Sequence, residues 1–235
     1  TAANNTAVGA TALAANTTGT QNTAVGGEAL VANTTGDQNT AVGLAALGAN
    51  TTGQDNVGIG RAALAANTTA TENVAVGSSA LLAVTTGSYN QAFGKSAGVA
   101  LTTGATNIAI GNASLATATT TSGNVAIGHS ALTATTSGVK NTGVGTNVLD
   151  ALTTGNSHTA VGHSALGANT TGTGSTAVGN DAGDTTTTGD NITCIGKGSR
   201  ASAADTDNQI VISTGAGTLT SGGATRFTVG DGSNN

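Results

Sequence analysis

The chain has 235 residues, including 37 Gly and no Pro, Met or Trp, with 1% aromatic and 7% charged residues and a net charge of −5. So few large side chains cannot fill a thick core, and only 6 Lys and Arg leave no basic stripe for phosphates, which argues against a nucleic-acid partner. No apolar run approaches the roughly 18 residues of a membrane helix, and apolar residues at fixed places with little net charge argue for order over disorder.

From its first residues the chain is periodic. Stepping by 17 from Val8 lands on Val25, Val42, Ile59, Val76, Phe93, Ile110, Ile127, Val144, Val161, Val178, Ile195 and Ile212, without insertion or deletion. A glycine follows each of them as far as Gly196. A period held this strictly predicts a solenoid in which every repeat is one coil stacked on the next. We therefore expect an all-β, parallel β-solenoid (β-roll or β-helix) of about twelve 17-residue coils over residues 1–196, with residues 197–235 as a terminal coil, cap or join to a following domain. At about 4.8 Å per layer this is a rod on the order of 60 Å long, with no internal boundary. The N-terminal residue is Thr, and no signal peptide opens the chain, which suggests a processed or excised segment.

Within one coil, the columns headed by Thr6 and Val8 are mostly β-branched, while the Ala7 column between them holds only small residues. The alternation predicts a strand with Val8 on a core face and Ala7 where another backbone lies close. On that reading Val144→Asp breaks the fold and His129→Ala is silent. Gly9 ends the strand, and the column of Ala10 varies as a solvated position should. The Ala12 and Leu13 columns then tighten into a second core-facing segment, a strand or a short helical turn; the strand is favoured because layers 4.8 Å apart leave no room for helices. Asn16-Thr17-Thr18-Gly19 forms the outer turn, where stacked Asn and Thr can build hydrogen-bond ladders. The Thr17 column reads first as such a ladder and second as an ice-binding array. Beyond Gly196 the pattern loosens, Asn208–Ile212 makes a last strand, and Arg226-Phe227-Thr228-Val229 follows in a Gly/Ser-rich tail.

Chemistry-bearing residues are sparse. His129 and His163 share the exposed column two coils apart, about 10 Å, too far to ligate one zinc. His158 stands where other coils begin with Asn, and all three histidines read as solvated. Asp181, Asp184 and Asp190, then Asp205 and Asp207, lack the spacing of a dedicated calcium loop. Cys194, the only cysteine, occupies the Ala7 column as a small filler; a thiol near its symmetry mates is the other reading. Sequons at Asn16, Asn33, Asn50, Asn67 and Asn169 are explained by the turn ladder without glycans. We assign no catalytic, cofactor-binding or metal residue and no cofactor, and we expect a protein that is not an enzyme; receptor-binding residues are not assigned.

The unit Asn-Thr-Ala-Val-Gly-x-x-Ala-Leu, at 22–30 and 39–47, resembles the head repeats of trimeric autotransporter adhesins. Those pair a Val-Ala-Ile-Gly strand with a small-residue strand in a left-handed parallel β-roll, and the present repeat is about three residues longer, with Asn-Thr-Thr before the outer glycine. The longer form, Asn-Thr-Ala-Val-Gly-x-x-Ala-Leu-x-x-Asn-Thr-Thr-Gly, is similar to repeat arrays of bacteriophage tail-fibre and tailspike-type proteins. The ending Ala203–Ile212 is similar to the way such arrays finish, often before a self-cleaving chaperone-type domain. The resemblance implies a homotrimeric virion fibre segment (tail or head fibre) on the virion surface. It would act as a spacer or host-attachment rod, with other virion proteins and a host glycan or protein receptor as partners and no membrane insertion. A bacterial surface adhesin head is the alternative with the same fold, and an ice-binding solenoid the alternative of another class.

Overall fold

A computed structural model describes residues 2–213 and the backbone of 226–230. Two compact units, Thr1–Ser122 and Gly123–Asn235, make up the chain. The first unit carries β1 (Thr6–Val8), β2 (Thr23–Val25), β3 (Thr40–Val42), β4 (Val57–Ile59), β5 (Val74–Val76), β6 (Gln91–Phe93) and β7 (Ile108–Ile110). The second carries β8 (Val125–Ile127), β9 (Thr142–Val144), β10 (Thr159–Val161), β11 (Thr176–Val178), β12 (Thr193–Ile195), β13 (Gln209–Ser213) and β14 (Arg226–Gly230). The strands pair in parallel and in a register that joins residues 17 apart, such as Ala24 with Ala41 and Ala160 with Ala177. The fold is thus an all-β parallel solenoid of about twelve coils, with no helix among the described residues. Of the expected terminal cap, residues 214–225 and 231–235 lie outside the described residues.

The two faces of each strand are the reverse of the sequence expectation. Ala24, Ala41, Ala75, Ala92, Ala126, Ala160 and Ala177 are fully buried, whereas Val25 is 36% and Ile59 39% exposed. Val144 is half-buried on the same outer face, so it is not a core position. The cause is the thinness of the coil. Leu30, Leu47, Leu64, Leu81, Leu115, Leu132, Leu149 and Leu166 fill the interior from the opposite wall and leave room only for a methyl or less on the strand. At Gly58 even an added Cβ would stand 3.3 Å from Leu47 Cγ.

The second core-facing segment is not the strand expected. In the coil after β2, the N–H groups of Ala29, Val31 and Asn33 donate to Gly26, Glu28 and Leu30 carbonyls at 3.3, 3.3 and 3.1 Å, a run of overlapping β-turns. Glu28 (φ 60°) and Leu30 (φ 50°) are left-handed, as the third residue of a type II turn must be. This geometry points both Ala29 and Leu30 inward, which a strand of period two cannot do with adjacent residues. Coil-to-coil bonds hold this unusual backbone: Leu30 N–H donates forward to Ala46 O at 3.0 Å, and Glu28 N–H donates backward to Ala10 O at 2.9 Å.

Side-chain ladders close each coil, as the turn composition predicted. Asn39 Nδ2 donates to Asn22 Oδ1 (3.2 Å) and to Gly53 O (2.8 Å), and Asn22 Oδ1 also accepts the Asn39 N–H (3.0 Å). A second ladder runs beside it, with Asn50 Nδ2 donating to Asn33 Oδ1 (2.8 Å) and to the same Gly53 O (3.1 Å). Unlike the outer position expected of the turn, Asn33 and Asn50 are interior and fully buried, as are Asn22 and Asn39 of the first ladder. Burial makes each amide depend on its partners, because an unmatched one would forfeit its hydration. The Thr17 column is the outermost ladder, in which Thr34 Oγ1 donates to Thr51 O at 3.0 Å and Thr153 Oγ1 to Thr170 O at 2.9 Å.

Candidate functional site: the outer face of the strands

In each coil after the first, two strand side chains point outward, one from the Thr6 column and one from the Val8 column, with the buried small residue between them. In the first unit they make the pairs Thr23/Val25, Thr40/Val42, Val57/Ile59, Val74/Val76, Gln91/Phe93 and Ile108/Ile110. Stacked at the layer spacing of about 4.8 Å, they form a ribbon two side chains wide. The second unit repeats the pattern with Val125/Ile127, Thr142/Val144, Thr159/Val161, Thr176/Val178 and Thr193/Ile195. No charged residue occurs in either column from Thr6 to Ile195. Exposed apolar positions are common singly, but a continuous row is not, and such patches mark contact surfaces.

One coil departs from the pattern. Gln91 is the one residue of its column that is not β-branched, Phe93 the one of its own, and the two lie on the same strand, β6. Both are exposed, Phe93 by 40%, and Tyr89, two residues earlier, is 52% exposed. Two of the chain's three aromatic side chains therefore sit within five residues on the outside of one coil.

The titratable residues do not assemble. His129 and His163 are exposed, and His163 Nδ1 approaches Asp181 Oδ1 at 3.7 Å. Asp184 receives two bonds from Arg200, Nε to Oδ1 at 2.7 Å and Nη2 to Oδ2 at 2.8 Å, and this carboxylate raises the Arg200 pKa. Asp190 accepts the Thr173 N–H at 2.7 Å, a turn cap rather than a ligand set, and among the described residues no group of three or more His, Cys, Asp or Glu could hold a metal ion. Among the same residues no helix is long and apolar enough to cross a membrane.

His158 is the exception to the solvated reading. It is buried in the first asparagine ladder, its Nε2–H donating to Gly172 O at 2.6 Å and its Nδ1 accepting the Ser175 N–H at 3.2 Å. Both ring nitrogens are used in the neutral form, and burial lowers the pKa below the ordinary histidine value. Cys194 is the buried filler its column predicts, and burial pushes its thiol up to about 11, which keeps it protonated at neutral pH. The sequon residues Asn33, Asn50, Asn67 and Asn169 are fully buried and could not carry a glycan in the folded chain.

The site is thus a surface. No known family, curated protein or solved structure matches the chain. The outer ribbon was missed by sequence reading because a β-branched column looks the same whether it faces a core or a partner; the signal that could have found it is the smallness of the Ala7 column, which leaves the interior to leucine.

Proposed function

We propose that this chain is a structural and adhesive segment of a virion fibre, working as a parallel homotrimer whose copies pack through the outer face of their strands. The observation that carries the reading is the uncharged, largely apolar ribbon of the Thr6 and Val8 columns. Full burial of a Val or Ile is worth about 1.5–3 kcal/mol, and with more than a third of several of these side chains still in water, roughly 1 kcal/mol per coil remains to be gained by covering them. A stable interface buries about 800 Å² on each partner, which so narrow a ribbon reaches only when many coils take part. A partner that covers it coil by coil needs the same repeat, and the simplest such partner is a second copy of the chain.

The repeat's resemblance to phage tail-fibre arrays supports the virion surface as its location, with spacing or host attachment, not catalysis, as its task. Other virion proteins and a host glycan or protein receptor are the partners that go with this role. A bacterial surface adhesin head is the alternative that shares the fold and differs in what anchors it. Ice binding is not favoured, because the hydroxyls of the Thr17 column are spent on carbonyls of the next coil. Light scattering tests the assembly. Three times the 22.0 kDa chain mass is expected, and a single-chain mass at micromolar concentration overturns the trimer.

A further inference from the structure

The outer ribbon has a weakness as an interface. Its layers are nearly interchangeable: Thr/Val, Val/Ile, Val/Val and Ile/Ile pairs differ by a methyl group or a hydroxyl. Two copies displaced by one coil would bury almost the same surface as two copies in register. A sheet contact of this kind is weakly specified unless some position penalises the slip.

Only β6 supplies one. Gln91 and Phe93 are the two departures from β-branched side chains in their columns, and both fall in the same coil. Both stand outside, with Val74/Val76 on one neighbouring layer and Ile108/Ile110 on the other.

We propose that Gln91 and Phe93 form a register key, a single layer that fixes how copies of this chain align with one another; the inference rests on the self-association proposed above. In register, the Gln91 amides of adjacent copies meet and can bond to one another, each having donors and an acceptor, and the Phe93 rings share one wide layer. One coil out of register, each Gln91 amide is pressed against Val74 or Ile108 of the other copy and finds no partner. Each Phe93 then faces a layer built for Val76 or Ile110. A buried polar residue in an apolar seam is known to specify alignment in this way at the cost of some stability.

The test uses the full chain with introduced thiols as position markers; Cys194 is buried and does not report. Chains carrying Thr23→Cys are mixed during refolding with size-tagged chains carrying Thr40→Cys, and disulfides are allowed to form. Links between two chains of the same kind report alignment, and links between a Thr23→Cys chain and a Thr40→Cys chain report a slip of one coil. With Gln91 and Phe93 present, like-position links should dominate by about tenfold or more. In Gln91→Val/Phe93→Ile, which restores the column pattern and so should fold, slipped links should rise to the same order as aligned ones while the mass by light scattering stays unchanged. A strong preference for aligned links in the double variant overturns the key and leaves the assembly standing. A single-chain mass for the parent overturns both.

Discussion

His158 Nε2 and the Gly172 carbonyl oxygen are joined by a 2.6 Å hydrogen bond, in the place where other coils use an asparagine amide. Where both ladders run, the turn carbonyl serves two amides: Gly53 O accepts from both Asn39 and Asn50. At Gly172 the imidazole has taken the position, and Asn169, which stands where Asn50 does, has neither Nδ2 nor Oδ1 paired although it is fully buried. Its neighbours in the second ladder are Leu152 and Thr186, neither of which offers it an amide.

The first prediction concerns pH. The folded-state pKa of His158 lies below the ordinary value of 6.5, chiefly because burial disfavours the cation, and the bonds to Gly172 and Ser175 and the charge of Asp190 oppose the shift without cancelling it. The unfolded chain therefore binds the proton more readily. The stability tied to neutral His158 is complete above about pH 6.5 and is lost as the pH falls through that value towards the folded pKa. Below it the Nδ1 that accepts the Ser175 N–H becomes a donor. His158→Asn should flatten the melting temperature between pH 7 and pH 5, and an equal slope in both proteins would show that the acid response has another source.

Asn169 gives the second. Its column holds Leu101 and Leu152 in other coils, so the site accepts an aliphatic side chain of that length. Removing a buried amide with no partner recovers about 1–3 kcal/mol. Asn169→Leu should raise the melting temperature of the second unit, measured by calorimetry. A fall would mean that the polar group is satisfied by a water it must keep.

The third separates the two faces of one strand. Ala160 is fully buried and Val161 is 39% exposed, one residue apart on β10. Ala160→Asp places an unpaired charge in the interior and should unfold the second unit, at a cost of several kcal/mol. Val161→Asp should keep the circular-dichroism spectrum while reducing the mass in light scattering towards one chain. If both unfold alike, the ribbon belongs to the core after all.

The fourth tests the wall opposite the strands. Leu64 is fully buried and left-handed, with φ 52°. Leu64→Ala should cost about 2–5 kcal/mol by cavity formation, visible as a lower denaturation midpoint. A loss below about 1 kcal/mol would show that neighbouring coils collapse into the space.

A fifth concerns the corner after each strand. Gly43 has φ 133°, and a Cβ there would stand 2.6 Å from Gly60 O. Gly43→Ala should lower the denaturation midpoint of the first unit by more than the roughly 1–3 kcal/mol of local strain alone, since the clash is with backbone of the next coil, which cannot step aside without breaking its own ladder. A smaller loss would show that the corner can shift.

The period of 17, the parallel stacking, the first strand of each coil and the turn ladders were legible in the sequence, because each depends on where residues recur and not on which way they point, whereas the second strand favoured for the Leu13 segment is a run of turns. Orientation was harder. Val25 and Ala24 alternate under either assignment of inside and outside, and the tie is broken by the smallness of the Ala24 column together with the Ala29-Leu30 pair in the facing segment, whose two adjacent buried residues rule out a strand and supply the bulk that fills the coil. Left-handed leucine was not legible, since that backbone is disfavoured for the residue and is held only by neighbouring coils. His158 could have been read correctly: it stands in line with Asn22, Asn39 and Asn141, and a residue in that column inherits their burial.

The asparagine ladders also limit how such a gene can change. Asn39 works only because Asn22 stands 17 residues before it, so inserting a single residue between them would throw both ladders, the leucine wall and the outer ribbon out of line at once. A whole coil inserted or lost keeps the spacing of 17 on which the ladders depend. Length in this protein is therefore counted in coils of 17 residues, and a change of length by any other step breaks the register.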